Sequence, residues 1–178
     1  MTKKIIKLHL PPDLPIPSVL DKVDYTTING QELLFTKLTN GKQPYEKGWV
    51  NKGISHWNAL TLSSSDKVTV TGFGLNHKLS KTVAFDIDDI EKTKAYFKEE
   101  FNDEGETYDG IMENSFRIKS PKPNRDKAIF MLTDEQLKQL EKIEGGLIQH
   151  TEEGSVVFEI RGSGGQDVFP PSLYLSKK

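Results

Sequence analysis

The chain has 178 residues, enough for one sizeable core or for one core with a smaller lobe attached. Lys and Arg number 24 against 26 Asp and Glu, a formal charge of -2, which excludes a protein that coats nucleic acid by bulk charge but leaves room for a local basic groove. Cysteine is absent, so disulfide frameworks, thiolate zinc sites and thiol nucleophiles are excluded, and neither a signal peptide nor a run of about 20 apolar residues is present, which points to a cytoplasmic protein.

Residues 3–10 alternate as a strand would until Pro11, Pro12, Pro15 and Pro17 break the chain. Residues 32–38 predict a second strand, and 41–49 is turn-rich with two aromatics, Tyr45 and Trp49. Ser63-Ser64-Ser65-Asp66 is a loop signal and the expected lobe boundary. Beyond it, Lys67–Thr71 and Thr82–Asp88 predict strands, rich in Val, Thr, Phe and Ile. Asp89–Phe101 predicts a helix with Ile90, Phe97 and Phe101 on one face. Ser115–Lys119 and Ala128–Leu132 predict strands, and Thr133-Asp-Glu-Gln136 is a capping box ahead of Leu137, Leu140 and Ile143 on one helical face, ended by Gly145-Gly146. Leu147–Gln149 and Val156–Arg161 complete a β-α-β-β-α-β order. The expected class is α+β: an RRM-like or ferredoxin-like core with a mostly antiparallel sheet, helices on one face, and a small N-terminal α/β lobe.

Two strand ends carry chemistry. In Val83-Ala-Phe-Asp86-Ile-Asp88, strand alternation sends Asp86 and Asp88 to one face and Phe85 and Ile87 to the other. Paired carboxylates repel unless a cation, usually Mg²⁺ or Mn²⁺, sits between them. Taken alone, such a pair is more often a solvated strand end whose Asp88 or Asp89 caps the next helix. The haloacid-dehalogenase phosphatase motif also opens on Asp-x-Asp, but Asp89-Ile90 and an antiparallel pattern do not suit it. In Val156-Val-Phe-Glu159-Ile-Arg161-Gly-Ser-Gly-Gly165-Gln, Glu159 and Arg161 share a face, and the glycines allow a sharp turn or close approach to a ligand. By itself this is more often a surface hairpin with an outward Glu–Arg pair. Residues 117–127 hold Arg117, Lys119, Lys122, Arg125 and Lys127 against one acid, either a solvated loop or an anion site.

Together these segments resemble the prim-pol (bifunctional DNA primase/polymerase) family of the archaeo-eukaryotic primase superfamily. Phe85-Asp86-Ile87-Asp88 matches its first acidic motif. Glu159-Ile-Arg161-Gly-Ser-Gly164-Gly165-Gln through Pro170-Pro171-Ser172 matches the more specific later one. Lys42-Gln-Pro44 and Gly48-Trp49 are similar to its N-terminal segment. The middle motif often carries a His that touches nucleotide phosphates; counting back from Phe130, Lys127 takes that place, and Lys binds phosphate as a fixed cation. The third acid is Glu159, where many relatives have Asp.

The resemblance implies one prim-pol domain over 1–178, with an N-terminal lobe over 1–65 and a catalytic core over 66–178, within a longer replication protein of a phage, plasmid or other mobile element. It implies template-directed nucleotidyl transfer by two divalent ions, Mg²⁺ or Mn²⁺, about 3.5–4 Å apart on Asp86, Asp88 and Glu159 as catalytic and metal residues. It assigns nucleoside triphosphate binding to Arg125, Lys127, Arg161, Gly164, Gly165 and Ser172. DNA template or primer contacts fall to Lys119, Lys122 and Trp49, with a helicase domain or protein as a further partner. The alternative is a degenerate fold that binds DNA or nucleotide without catalysis.

Overall fold

The computed structural model describes residues 27–28, 31–39, 42–55, 72–102, 105–118, 122–143 and 146–169. Packing divides the chain into two units, one from residues 1–80 with 166–178 and one from 81–165. Among the described residues both are built on antiparallel sheets, and with four α-helices the class is α+β. The expected strands at 3–10 and 67–71, and the Ser63–Asp66 loop, lie outside the described residues.

The first unit contains the short pair β1 (Thr27–Ile28) and β2 (Gln31–Glu32). Its main sheet runs β12 (Gln166–Phe169), β6 (Gly72–Asn76), β3 (Leu34–Thr39) and β4 (Gln43–Pro44), with β5 (Ile54–Ser55) also on β3. Leu33, Phe35, Leu38, Phe73, Leu75 and Phe169 are fully buried there, and the Phe35 and Phe169 rings lie 5.3 Å apart. Helix α1 (His77–Ser80) follows β6 directly. Its buried polar groups are all spoken for: His77 Nε2 meets Asp167 Oδ2 at 2.8 Å, and Ser80 Oγ accepts from the Leu34 amide at 2.8 Å. Burying these groups costs free energy unless they are paired, and here they are.

The second unit reads β7 (Thr82–Ile87), α2 (Ile90–Phe101), α3 (Glu106–Glu113), β8 (Phe116–Arg117), β9 (Asp126–Met131), α4 (Asp134–Leu140), β10 (Leu147–Glu152) and β11 (Ser155–Arg161). Its sheet order is β10-β11-β7-β9-β8. Leaving out β10, the hairpin partner of β11, this is the split β-α-β order that the strand–helix pattern predicts. Helix α3 is the element the pattern did not anticipate; Tyr108, Ile111 and Met112 at helical spacing are its only apolar signal. Of the strand expected over 115–119, Phe116 and Arg117 pair with Ile129 and Ala128 on β9, and the Ile118 amide donates to the Lys127 carbonyl at 2.9 Å.

Alternation along β7 decides what each face does. Phe85 and Ile87 join Phe97, Tyr108, Met112, Ala128, Val157 and Phe158 in a buried cluster under α2 and α3. The Phe85 ring sits 5.8 Å from Phe97 and 5.3 Å from Phe158 at steep angles, contacts worth about 0.5–1.5 kcal/mol each beyond burial. Asp89 starts α2 as its N-cap, accepting from the Lys92 amide at 3.0 Å and from Asn124 Nδ2 at 2.9 Å. The Lys92 amide holds the Asp89 carboxyl below its ordinary pKa. This cap is therefore fully present above the ordinary carboxylate pKa and is lost as pH falls through the depressed value. Thr133 and Gln136 form the predicted capping box of α4, with Gln136 N to Thr133 Oγ1 at 3.2 Å and Thr133 N to Gln136 Oε1 at 2.9 Å.

Phe97 touches Phe85, Tyr96, Phe101, Tyr108 and Phe158, so truncation removes five ring contacts at once and opens a cavity. Phe97→Ala is expected to lower unfolding stability by about 3–5 kcal/mol, read from urea titration as a lower midpoint with the slope unchanged.

Candidate active site

The β11–β7–β9 register builds the site. Glu159 is the direct partner of Asp86 on β7, and Asp86 is the direct partner of Lys127 on β9. Directly paired residues point to the same face, here the face opposite Phe85 and Ile87. One row across the sheet thus reads Gln149, Glu159, Asp86, Lys127. Arg161, two residues beyond Glu159 and on its face, folds back over the row. Its Nη2 donates to Asp86 Oδ2 at 3.0 Å and to Glu159 Oε2. Lys127 Nζ stands 3.4 Å from the same Asp86 oxygen.

Asp88 lies just beyond the last residue of β7. Its amide and that of Asp89 both donate to the Val157 carbonyl, at 2.9 and 3.1 Å, which ends the ladder between β7 and β11. Its carboxylate pairs with Arg125 Nη1 at 2.5 Å. The repulsion expected between Asp86 and Asp88 is therefore answered by cations of the chain itself. Three acids, Asp86, Asp88 and Glu159, face three bases, Arg125, Lys127 and Arg161. Among the described residues no three Asp, Glu or His side chains are gathered as a metal group. Asp86 and Glu159 nevertheless share one positive partner, the Arg161 guanidinium, and offer it hard carboxylate oxygens. That donor set fits a divalent cation in the same place.

The glycine turn shapes Arg161. The Gly165 amide donates to the Gly162 carbonyl at 2.7 Å, closing the turn. A Cβ on Gly165 would lie 2.6 Å from Arg161 Cγ, so a bare backbone here leaves the arginine stem its path. A Cβ on Gly162 would meet Leu140 at 2.0 Å, which packs the turn against α4. Gly164 stands in the same turn, its amide 2.9 Å from where a Cβ on Gly146 would be.

The remaining expected residues are placed apart. Lys122 is exposed in the turn before β9. Lys119 and Ser172, with Pro170 and Pro171, lie outside the described residues. Trp49 belongs to the first unit, in a 3₁₀ turn whose carbonyl accepts from Asn76 Nδ2 at 3.0 Å. Residue type and spacing in the sequence missed Gln149. Its Nε2 donates to Glu159 Oε1 at 2.5 Å from the outer strand β10, and the only available signal was its place on the strand ahead of the Glu159 hairpin. On the helix side of the sheet, Asp126 is held by Arg117 and lines a shallow cavity of about 270 Å³ with Ile90, Tyr108 and Met112. This pairing raises the Arg117 pKa, and burial raises that of Tyr108.

The model of the N-terminal bifunctional DNA primase/polymerase domain, Prim-Pol, matches residues 16–178. The chain belongs to the prim-pol family. No curated protein and no solved structure was found to match it. Membership points to DNA primase/polymerase-type activity, a nucleotidyl transfer with DNA and nucleotides as substrates, in a family that generally uses divalent metals. Among the described residues no helix is long and apolar enough to cross a membrane.

With Asp86 paired to two cations whose side chains are no more than 25% exposed, its neutralisation takes a shared counter-ion from both rather than relieving repulsion. Asp86→Asn is expected to lower the melting temperature in metal-free buffer, with a stability loss of about 1–3 kcal/mol, checked by thermal and chemical unfolding.

Proposed function

We propose that this domain performs template-directed nucleotidyl transfer, with Asp86, Asp88 and Glu159 as the divalent-metal carboxylates and Arg125, Lys127 and Arg161 as the triphosphate cations. The observation that carries the reading is the row in which Glu159, Asp86 and Lys127 are direct strand partners on one face, with Arg161 folded over it. In this family, acids and bases placed side by side are the parts a metal–triphosphate needs: oxygen donors for the cation and fixed positive groups for the phosphates.

In the reaction a 3′-oxygen attacks the α-phosphorus, the bond to the bridging oxygen of the β-phosphate breaks, and pyrophosphate leaves with that oxygen. The chemistry supplied by Mg²⁺ or Mn²⁺ at the carboxylates is acidification of the 3′-hydroxyl and neutralisation of the leaving pyrophosphate. Asp86 and Glu159 hold their oxygens on one face from two adjacent strands, so their spacing is set by the sheet and not by a loop. Lys127, on the third strand, and Arg125, two residues earlier and just before that strand, present positive charge from one side of the acids, and Arg161 from between Asp86 and Glu159. The turn at Gly164 and Gly165 gives backbone a close approach to sugar and phosphate, to which Ser172 adds a hydroxyl. Lys119, Lys122 and Trp49 contribute template contacts, mostly to the backbone.

Primer extension on a defined template, with Mn²⁺ or Mg²⁺, tests this. Wild-type protein is expected to add templated nucleotides. Asp86→Ala and Glu159→Ala are each expected to reduce the rate by about 10³-fold or more, the scale of losing a main electrostatic contribution to the transition state. A wild-type protein that binds DNA and nucleotide but extends no primer under either metal is instead a binding module on the same fold.

A further inference from the structure

Arg161 occupies the place between Asp86 and Glu159 that the foregoing reading gives to a metal ion. One nitrogen, Nη2, serves both carboxylates. The Arg161 side chain is 25% exposed, and those of Asp86 and Glu159 are 24% and 16% exposed, so the contact is shielded from solvent screening without being sealed off. Lys127 adds a second positive group on Asp86, and Gln149 holds the far oxygen of Glu159. A divalent cation arriving alone must displace this internal cation from both carboxylates. A triphosphate arriving alone finds the same guanidinium already committed to carboxylates. When both arrive, each takes one side of the existing ion pairs: the cation takes the carboxylates and the phosphates take the arginine. No charge is stranded in that exchange.

We propose, on the basis of the polymerase reading above, that Arg161 is an exchangeable counter-ion that makes metal binding and nucleotide binding depend on each other. It suppresses either ligand alone and favours the pair. Thermodynamic reciprocity requires that the factor by which nucleotide improves metal affinity equals the factor by which metal improves nucleotide affinity. The glycine turn supplies the freedom the exchange needs. Arg161 Cγ lies 2.6 Å from where a Cβ on Gly165 would be, so a side chain there would crowd the stem whose swing carries the guanidinium from acid to phosphate. The register supplies the rest, since Asp86 and Glu159 stay on one face of the sheet whichever cation they hold.

The test uses each ligand singly, so that chelation of metal by nucleotide does not intrude. Mn²⁺ binding without nucleotide is measured by calorimetry or by the electron-spin signal of the free ion. Nucleoside triphosphate binding is measured in chelator. Arg161→Met keeps the length and the stem but removes the charge, and is expected to bind Mn²⁺ alone about tenfold or more tightly than wild type. Arg161→Lys keeps a cation and is expected to stay near wild type, which separates charge from folding. In chelator, Asp86→Asn is expected to bind triphosphate more tightly than wild type, and adding Arg161→Met to it is expected to abolish that gain.

Mn²⁺ affinity that is equal or weaker in folded Arg161→Met, while Asp86→Asn abolishes Mn²⁺ binding, overturns the counter-ion role and leaves the polymerase reading standing. Failure of Arg161→Met to bind Mn²⁺ at all also overturns the role. Mn²⁺ binding that survives both Asp86→Asn and Glu159→Gln overturns the role and the metal assignment together.

Discussion

Everything in the candidate site depends on the pairing register of β11 on β7. Phe158 stands opposite Ile87 and Ile160 opposite Phe85, so the strand is locked by apolar side chains that must lie under α2 and α3. A slip of one residue would put Glu159 among those rings and turn Ile160 toward Asp86. The register that buries Phe158 is thus the same one that sets Glu159 beside Asp86. The Val157 carbonyl reinforces it by taking both the Asp88 and Asp89 amides, which fixes where β7 stops and α2 starts. Hydrophobic packing on one face positions the charged chemistry on the other, with no contact between the two sets of side chains required.

The strand β9 repeats this division over three consecutive residues. Lys127 points to the acid face and meets Asp86. Asp126 points to the helix face and is held by Arg117. Arg125, just before the strand, meets Asp88. A single basic stretch therefore does not act as one patch. Strand alternation splits it between the site and the helix layer, and the turn carries the remainder. Ion pairs this shielded contribute little net stability, because desolvation offsets most of their attraction, yet removing one member is costly. That asymmetry suits a site whose charges are meant to change partners and not to be lost.

Much of this was legible in the sequence because it rests on alternation. Asp86, Glu159 and their apolar neighbours follow a period of two along strands bounded by clear signals, and the capping residues Asp89 and Thr133 stand where their helices begin. Helix α3 was not legible, since Gly105 at its N-cap and Gly110 within it read as loop, and its stability comes from Tyr108 and Met112 packing on the sheet. Alternation in the sequence assigns Asp88 to the strand face. It falls one residue past the end of β7, a boundary set by the Val157 carbonyl on another strand, which no local pattern encodes. The internal neutralisation of the acids was also hidden. Arg161 sits two positions from Glu159 and its partner Asp86 is 75 positions away, so the bond that joins them belongs to the register.

Gln149 shows why the outer strand belongs to the site. Glutamate carries one more rotatable bond than aspartate, so Glu159 gains reach at a cost in definition. Arg161 holds one of its oxygens and Gln149 the other, from opposite sides. If Arg161 turns to a phosphate, Gln149 is the contact that remains, and it keeps the Glu159 carboxylate from losing its orientation at the moment its counter-ion leaves. An amide suits this task better than a second cation would. It donates a hydrogen bond without neutralising the charge, so the carboxylate stays fixed in place and still available to a metal ion. Strand β10, with Leu147 and Ile148 exposed, packs His150 against Phe158 and Tyr96 and so carries Gln149 across to Glu159 at a fixed register.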